Sequence, residues 1–383
     1  MAKTEKAPLI LRKGAEDAQF ILASTALLLR RSPSSRPVDT HHAEVHDAMH
    51  ARTRTRDATR VWLAPAALLG AFVVNGETGV FIQTPVEFPS QGATLRGLLF
   101  RQAAAQGKSA TVIMAHGTSA TTRMVADEYA KAFCRTGLNV VLYDHRNFGR
   151  SGGESRQEIN PWIQCRGYID AINFAQTLDC VDATRLALWG DSYTGGQVVV
   201  VGACDARVMA IVAQCPIFGP ELPDIEPSRE NFEIIKTTLR SGDVRGTPET
   251  TIGPMPVVSP DQAGTPSLLK PIQAFRWFIE YGGRPGSRWI NSVTRVIPPT
   301  SVIYSPVLCA PFVKVPVLLV VAPEDEMVHA NYSVAKYAFD QMPGLKRWHD
   351  IADGHFGLLY YPSERFDEAS RIQAEFLQEQ LNT

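Results

Sequence analysis

Three side chains of the types that cooperate in nucleophilic catalysis follow strand-like segments of this 383-residue chain. Ser192 comes two residues after the apolar run Leu186–Gly190. Asp325 lies just past the run Val315–Val321, and His355 stands on a loop before the last predicted helix. A serine hydroxyl is a poor nucleophile until a base takes its proton, and the base works best when an acid orients it. The order therefore predicts that Ser192 attacks, His355 acts as base and then acid, and Asp325 orients His355.

The segment around Ser192 predicts a strand, a sharp turn and a helix. It reads WGDSYTGG from Trp189 to Gly196, and the apolar run Val198–Val201 follows. A nucleophile at the apex of such a turn is held in a strained conformation and needs small neighbours. The pattern is G-x-S-x-T-G, with Thr194 where the strict pattern has glycine. An ordinary strand-to-helix turn capped by Ser192 is the alternative interpretation.

The acid and the base each have competitors. Glu324 and Glu326 flank Asp325 and could serve in its place. Asp353 is too close in sequence to His355 to reach its far ring nitrogen. A structural loop role is the alternative for His355, and the other histidines considered are His145, His329 and His349.

Acyl transfer also needs backbone donors that stabilise the oxyanion. One donor is expected from Tyr193, the residue after the nucleophile. The second is expected from Thr118, on the loop after the buried run Thr111–Ala115, where Gly117 permits the turn. We assign a structural role to His116 in that loop and to the Gly- and Ser-rich loop that begins at Asp144.

The elements that must position these residues alternate between strands and helices from about residue 79 onward. Val80–Phe88 and Ala93–Phe100 form a predicted hairpin, and short apolar runs such as Asn139–Tyr143 and Val208–Gln214 alternate with helical segments. This alternation predicts an α/β fold with a mostly parallel sheet and helices on both faces.

The alternation stops between residues 216 and 312. Ten prolines lie from Pro254 to Pro311, too many for long helices or regular strands. We predict a cap inserted over the carboxyl edge of the sheet, between core segments 79–215 and 313–383. Its larger apolar residues either line an apolar substrate pocket or form the core of the cap: Phe218, Phe275, Trp277, Phe278, Tyr281 and Trp289.

Residues 1–78 are predicted as an N-terminal helical extension, with helices at about 15–31 and 39–60. The second helix carries His42, His46 and His50 on one face, beside His41. This face is either a metal site or a solvated polar surface, and we favour the surface because no cysteine completes a ligand set. The apolar content of these helices makes them a candidate homodimer contact.

Composition narrows the class of protein. The formal net charge is -1, and acidic and basic residues are balanced, so nucleic acid is not an expected partner. Six scattered cysteines without metal-ligand spacing favour a reducing, cytoplasmic location. The apolar run 61–74 is too short for a stable membrane span and predicts a buried helix or interdomain contact, with a membrane-surface segment as the alternative. No cofactor or metal is expected.

The combined motifs resemble a known group of enzymes. They are H-G at 116, Y-D-H-R-N-F-G-x-S at 143–151, the run Arg156–Trp162, W-G-D-S-Y-T-G-G at 189–196 and G-H-F at 354–356. Together they resemble α/β-hydrolase serine enzymes related to dienelactone hydrolases, to X-Pro dipeptidyl-peptidase-type hydrolases and to fungal polyketide transferases. The resemblance covers residues 80–383 and implies the α/β-hydrolase fold with an acyl-enzyme on serine.

Three functions follow as hypotheses. The first is hydrolysis of a small-molecule ester or thioester, with an apolar acyl part, through an acyl-enzyme on Ser192. The second passes the acyl group to an alcohol or amine instead of water. The third is a non-catalytic binding or cyclisation role in natural-product biosynthesis, against which the three ordered residues argue.

Overall fold

The computed structural model of the chain describes residues 72–76 and 79–382. The strands are β1 Phe72–Gly76, β2 Gly79–Ser90, β3 Ala93–Gln102, β4 Ser109–Ala115, β5 Asn139–Tyr143, β6 Glu158–Ile159, β7 Val181–Asp191, β8 Val208–Gln214, β9 Thr251–Met255, β10 Val293–Val296, β11 Val317–Val321 and β12 Lys346–Asp350. The α-helices are α1 Ala126–Arg135, α2 Pro161–Ala175, α3 Tyr193–Cys204, α4 Arg229–Ser241, α5 Ile272–Gly282, α6 Pro306–Cys309, α7 Tyr332–Gln341, α8 Gly354–Gly357 and α9 Glu364–Leu381.

Within the described residues, nine strands form the central sheet in the order β1-β2-β3-β5-β4-β7-β8-β11-β12. The pairs from β1 to β5 are antiparallel, and all pairs from β5 to β12 are parallel. Because parallel neighbours share a direction, the carboxyl ends of β4, β7, β8 and β11 meet along one edge. The predicted α/β fold with a mostly parallel sheet is confirmed.

Both faces of the sheet are covered, and the strand sequences explain why. Side chains alternate between faces along a strand, so a strand buried on both sides is apolar throughout. In β4, Val112 and Met114 pack on the face that α1 and α9 cover. Ile113 and Ala115 pack on the opposite face, against residues of α2 and α3. The continuous apolar runs therefore indicate strands that are buried on both faces of the sheet.

The segment predicted as a cap contains strands that the sequence did not indicate. Strands β9 and β10 pair with each other, and β10 pairs in parallel with the two-residue β6, so a second sheet forms in the order β6-β10-β9. The prediction that residues 216–312 lack strands is wrong at these places. Pieces of four and five residues, one containing the Gly253-Pro254 pair, are too short to show alternation.

The amino-terminal boundary also differs from the prediction. Residues 72–76, placed within a helical extension ending at 78, form β1 and pair with β2 in register Phe72↔Gln83. An apolar run of this length fits a strand as well as a buried helix, so periodicity alone did not separate them. The predicted helices at 15–31 and 39–60, the histidine face and the dimer contact lie outside the described residues. Among residues 72–76 and 79–382, no helix is long and apolar enough to cross a membrane.

A buried polar chain ties the last helix to two central strands. The indole N–H of Trp189 in β7 donates to Gln373 Oε1 at 2.6 Å, and Gln373 Nε2 donates to Gln214 Oε1 in β8 at 2.6 Å. All three side chains are buried. Buried polar groups of this kind are stabilising only while each one is paired.

Replacing Gln373 with leucine should therefore destabilise the protein although it adds an apolar side chain. The substitution leaves the Trp189 N–H and the Gln214 carbonyl unpaired, and we expect the free energy of unfolding to fall by about 2 kcal/mol or more. Urea unfolding measures this quantity. Glu375→Leu, on the exposed side of the same helix, is the control and should change it by less than about 0.5 kcal/mol. Equal stabilities for the two variants would contradict the argument.

Candidate active site

Ser192 stands at the junction of β7 and α3 in a conformation that serine rarely adopts. Its φ is 55° and its ψ is -119°. The surrounding backbone holds it there: the Ser192 N–H donates to Gln214 O at 2.8 Å, and the Ile217 N–H donates to Ser192 O at 2.9 Å. A Cβ on Gly190 would lie 2.4 Å from Thr194 O, so only glycine lets the helix start this close to the strand. The predicted strand, turn and helix are all present.

The hydroxyl of Thr194 joins the turn to the neighbouring strand. It accepts the Asp191 N–H at 3.0 Å and lies 2.9 Å from Asp191 O and 3.0 Å from Ala115 O, the last residue of β4. A glycine at this position would have none of these contacts. The departure from the strict glycine pattern therefore has a structural role of its own.

The structure brings Ser192, His355 and Asp325 together. His355 Nε2 lies 2.8 Å from Ser192 Oγ, and His355 Nδ1 lies 2.7 Å from Asp325 Oδ2. The second oxygen of Asp325 accepts the Met327 N–H at 2.8 Å, which fixes the carboxylate. The side chains of His355 and Asp325 are 2% and 3% exposed, so water competes little for either hydrogen bond.

The alternative acids lie elsewhere. Glu326 Oε2 accepts the backbone N–H of His355 at 2.7 Å, so it holds the loop rather than the ring. Glu324 is exposed, and Asp353 bonds Arg365 at 2.8 Å. Of these carboxylates, only Asp325 reaches the imidazole.

The other histidines do not approach Ser192 in this way. His145 is buried, and burial lowers its pKa to about 3, with a further effect from the charge of His116. His349 lies in β12 near Glu368, at 3.6 Å. His329 lines the cleft beside Ser192 without a hydrogen bond to it among the described residues.

Several charges set the pKa of His355. Burial by itself lowers the pKa of the imidazole. The charge of Asp325 and its hydrogen bond to the ring act in the opposite direction, and Glu326 and Asp191 add to that effect. The net result is a pKa above the ordinary value of 6.5.

The two residues predicted to supply oxyanion donors both lie beside Ser192. The loop of Thr118 and the first residue of α3, Tyr193, both line the cleft with Ser192. In the described part of the chain, neither N–H donates to a protein acceptor. A Cβ on Gly117 would lie 2.6 Å from Asp191 O and 2.8 Å from Ser192 Cβ, so glycine is required where the loop passes the nucleophile. The predicted oxyanion donors thus lie at one location.

A buried contact between a histidine and a carboxylate, which the sequence did not indicate, supports this loop. His116 Nδ1 lies 3.0 Å from Asp191 Oδ2, and both side chains are 2% exposed. His116 Nε2 lies 2.7 Å from Met124 O, and the Gly117 N–H donates to Asp191 Oδ1 at 2.9 Å. Burial lowers the pKa of His116, but the charge and hydrogen bond of Asp191 more than offset it, so the pKa is raised. The available signal for this contact in the sequence was that His116 directly precedes Gly117 and that Asp191 directly precedes Ser192.

A cleft with about 570 Å³ of empty space, counted to its open mouth, leads to Ser192. Its lining is mostly apolar: Thr118, Ile159, Ser192, Tyr193, Ile217, Leu268, Leu269, Arg295, Met327 and His329. A smaller recess lies on the His355 side and is lined by Trp277, Phe278 and Phe356 among others. Six aromatic residues were expected either to line a pocket or to form the core of the cap. Of these, Trp277 and Phe278 line this recess, and the other four line neither space.

One group of side chains has ligand atoms close enough together for a metal ion. Cys215, Asp325 and His355 offer atoms within 4.8 Å of one another. Both ring nitrogens of His355 already make short contacts, to Asp325 and to Ser192. The pKa of the Cys215 thiol is raised well above its usual value by burial and by the charges of Asp325 and Asp191, which disfavours the thiolate that a metal needs. The donor set therefore fits a hydrogen-bonded chain better than a metal centre.

Comparison with known proteins finds one matching family and several relatives of the chain. Residues 106–244 match the family described as Serine aminopeptidase, S33. The quorum-quenching protein AidA of Acinetobacter baumannii is 27% identical over 76% of this chain and 93% of its own. A thiohydrolase of Eupenicillium brefeldianum is 27% identical over 76% of this chain and 92% of its own. The polyketide transferase claH of Penicillium crustosum is 29% identical over 40% of this chain and 51% of its own.

Solved structures show the same fold. The α/β hydrolase GrgF from Penicillium sp. sh18 superposes with a TM-score of 0.59 at 22% identity, covering 79% of this chain and 99% of its own. DcsB, solved with a substrate analogue, gives 0.58 at 23% identity, covering 79% and 100%. The chain has the α/β-hydrolase fold, residues 106–244 match a serine aminopeptidase family, and proteins described as thiohydrolases and polyketide transferases are among its relatives. The resemblance inferred from the motifs is confirmed.

Replacing Glu326 with glutamine should lower the pKa of the His355 ring. The amide retains an oxygen for the His355 N–H but removes a negative charge that raises the pKa of the imidazole. A titration of the His355 ring resonances by NMR should therefore show its midpoint at lower pH than in the wild type. Glu324→Gln, which removes an exposed charge two positions away, is the control and should leave the midpoint in place. A midpoint unchanged in Glu326→Gln would contradict this account of the site.

Proposed function

We propose that the protein hydrolyses an ester or thioester through an acyl-enzyme on Ser192, with His355 as base and acid and Asp325 as the group that orients His355. The observation that carries the proposal is the continuous chain of two short contacts from Ser192 Oγ through the His355 ring to Asp325. Each member has one task in this chain, and the order of the three along the sequence is the one expected for this fold.

Proton flow follows from the two contacts. As Ser192 Oγ forms a bond to the substrate carbonyl carbon, its proton moves to His355 Nε2, and Asp325 stabilises the imidazolium. The same proton then goes to the leaving alcohol or thiol as the carbonyl–leaving-group bond breaks. In the second half, water loses a proton to His355 and attacks the acyl carbon. The bond between that carbon and Ser192 Oγ then breaks, the proton passes from His355 back to Oγ, and the free acid is released. His355 must be neutral to begin, so activity falls as the pH drops through its raised pKa.

The N–H groups of Thr118 and Tyr193 are the proposed oxyanion donors. Each lies beside Ser192 and lacks a protein acceptor in the part of the chain that the structure describes. The contact of His116 with Asp191 positions the Thr118 loop before substrate arrives. Donors fixed in advance in a water-poor site contribute more than donors that must reorient during the reaction.

The substrate class in the proposal is a small molecule with an apolar acyl part. Most residues that line the cleft to Ser192 are apolar, among them Ile159, Ile217, Leu268 and Leu269. Two of the relatives are described as thiohydrolases, which supports thioesters as candidate substrates in addition to oxygen esters.

Acyl transfer to an alcohol or amine is the second candidate function. The recess beside His355 has aromatic walls made by Trp277, Phe278 and Phe356, which suit an organic acceptor better than bulk water. Two relatives described as polyketide transferases support this candidate. Product analysis with and without an added alcohol separates it from hydrolysis.

The proposal extends to the compartment and to assembly. All six cysteines are free thiols, and four of them are buried, which supports a reducing, cytoplasmic location. A homodimer through residues 1–78 stays a prediction, and a monomeric mass for the full chain in solution would remove it.

Replacing Ser192 with alanine should abolish turnover of a p-nitrophenyl ester and of an acyl thioester. The loss of the nucleophile should lower kcat by at least about 10⁴-fold. Ser333→Ala, an exposed serine at the start of α7, is the matched control and should keep wild-type rates. A fluorophosphonate probe should label the wild type and Ser333→Ala but not Ser192→Ala. Retained turnover in folded Ser192→Ala would overturn the assignment.

Replacing Asp325 with asparagine should separate it from the neighbouring acids. Asparagine can hold the ring but favours the wrong tautomer and does not stabilise the imidazolium, so we expect kcat to fall by about 10³- to 10⁴-fold. Glu324→Gln should stay within about twofold, because its side chain is exposed and makes no contact with the ring. A larger loss in Glu324→Gln than in Asp325→Asn would transfer the orienting role to Glu324.

A further inference from the structure

One charged side chain in the cleft has no partner. Arg295 is half-buried and lines the cleft that also contains Ser192 and Tyr193. In residues 72–76 and 79–382, its guanidinium makes no ion pair and no hydrogen bond, and none of the cleft-lining residues is acidic. Charged side chains that are partly removed from water usually have a partner. Arg295 differs in its burial from the other described arginines of residues 216–312, because those are all exposed to solvent: Arg229, Arg240, Arg245, Arg276, Arg284 and Arg288.

The strand that carries Arg295 is irregular at this position. In β10, Val293 pairs with Met255 while Arg295 pairs with Ile252, and the register shifts between the two pairs. Two steps along β10 are matched by three steps along β9, so the extra residue belongs to β9, opposite Arg295, and irregularities of this kind are common next to active sites. On its other edge Arg295 pairs with Ile159, which also lines the cleft. The small sheet of the cap thus presents one cation next to an apolar wall.

A second nitrogen-bearing side chain lies in the same lining. His329 is exposed to solvent and lines the cleft with Arg295. Burial lowers the pKa of its imidazole, and the positive charge of Arg295 lowers it further, so the ring is neutral at pH 7. A neutral imidazole offers one N–H donor. The lining of the cleft therefore offers the positive charge of Arg295 and an additional N–H donor on His329. No acidic side chain in that lining offsets the charge of Arg295.

The positions of the two spaces indicate which part of a substrate meets Arg295. The proton held by His355 must reach the leaving group, and His355 lines the smaller recess but not the cleft. The leaving group therefore lies on the recess side, and the acyl part extends from Ser192 into the cleft that contains Arg295.

We propose that Arg295 binds a carboxylate at the far end of the acyl part, so that the preferred substrates are esters or thioesters of half-acids with a short apolar chain between the two carbonyl carbons. This inference rests on the proposed acyl-enzyme on Ser192. A guanidinium bonds a carboxylate through two parallel N–H donors, which fixes both the position and the orientation of the chain. The apolar residues Leu268 and Ile217 pack against the methylene groups between the two ends.

The test compares charged and neutral acyl chains of equal length. The substrates are the mono-p-nitrophenyl esters of glutaric, adipic and suberic acid and the same compounds with the free acid converted to a methyl ester. For the best half-acid, Arg295→Met should lower kcat/KM by about tenfold or more, mainly through KM, and for the neutral counterpart by less than about threefold. Arg295→Lys keeps the charge and should lose less on the half-acid than Arg295→Met.

Two controls define the result that would overturn the inference. Arg371→Met removes one positive charge from the exposed face of α9 and should not change either substrate. An acetyl ester of 4-hydroxybenzoate carries the carboxylate on its leaving group instead. The inference is overturned if Arg295→Met affects half-acid and methyl ester equally, affects neither, or affects only the 4-hydroxybenzoate ester.

A binding measurement separates this inference from the proposed function. Calorimetry with adipate and Ser192→Ala needs no turnover, and adding Arg295→Met should weaken adipate binding by about tenfold. If the wild type turns over no ester and takes no fluorophosphonate label, the proposed function fails while Arg295-dependent adipate binding still supports carboxylate recognition. If the wild type is labelled and adipate binding does not depend on Arg295, the inference fails and the proposed function stands. Equal labelling of wild type and Arg295→Met shows that the variant is folded.

Discussion

The hydrogen bond between His355 and Asp325 is the contact on which the site depends. It joins two loops at the carboxyl edge of the sheet, one after β11 and one after β12, across 30 residues of sequence. Because β8, β11 and β12 are parallel neighbours, their loops emerge side by side next to the turn that carries Ser192. Glu326 adds a second tie by accepting the His355 N–H. The ring is thereby held from the side and from the backbone.

A second histidine and carboxylate pair lies on the other side of Ser192. His116 and Asp191 form a buried contact that connects the loop after β4 with the residue before the nucleophile. Buried charges are costly unless they are paired and hydrogen-bonded, and here Gly117 and Met124 supply the additional hydrogen bonds. The His116–Asp191 pair thus holds the residue before Ser192 in place, while the His355–Asp325 pair contacts the Ser192 hydroxyl. Both pairs act in a region with little water, where electrostatic interactions are strong.

Some features of the fold and the site could be predicted from the sequence and others could not, and particular residues show why. The parallel core was predictable because strands such as β4 and β11 are apolar on both faces, a pattern that few alternatives produce. Ser192, Asp325 and His355 were predictable because each follows a strand in the expected order. Arg295 and the His116–Asp191 pair were not predictable, since neither belongs to a periodic pattern. His116 and Asp191 are 75 positions apart (191 minus 116), and Arg295 lies in the segment with the weakest pattern. The strands β9 and β10 were not predicted because they have five and four residues, too few to show alternation, and because they pair with each other across almost 40 positions of chain.

The pairing of β6 with β10 limits how substrates can reach Ser192. The small sheet β6-β10-β9 includes β6, which lies outside residues 216–312, and the Thr294 N–H donates to Gln157 O at 2.8 Å. A cap that swung away as a rigid lid would break this ladder and the cap contacts of Trp277 with Leu359. If these bonds persist, substrates reach Ser192 by rotation of side chains along the cleft, on a timescale of about nanoseconds, rather than by slower domain motion.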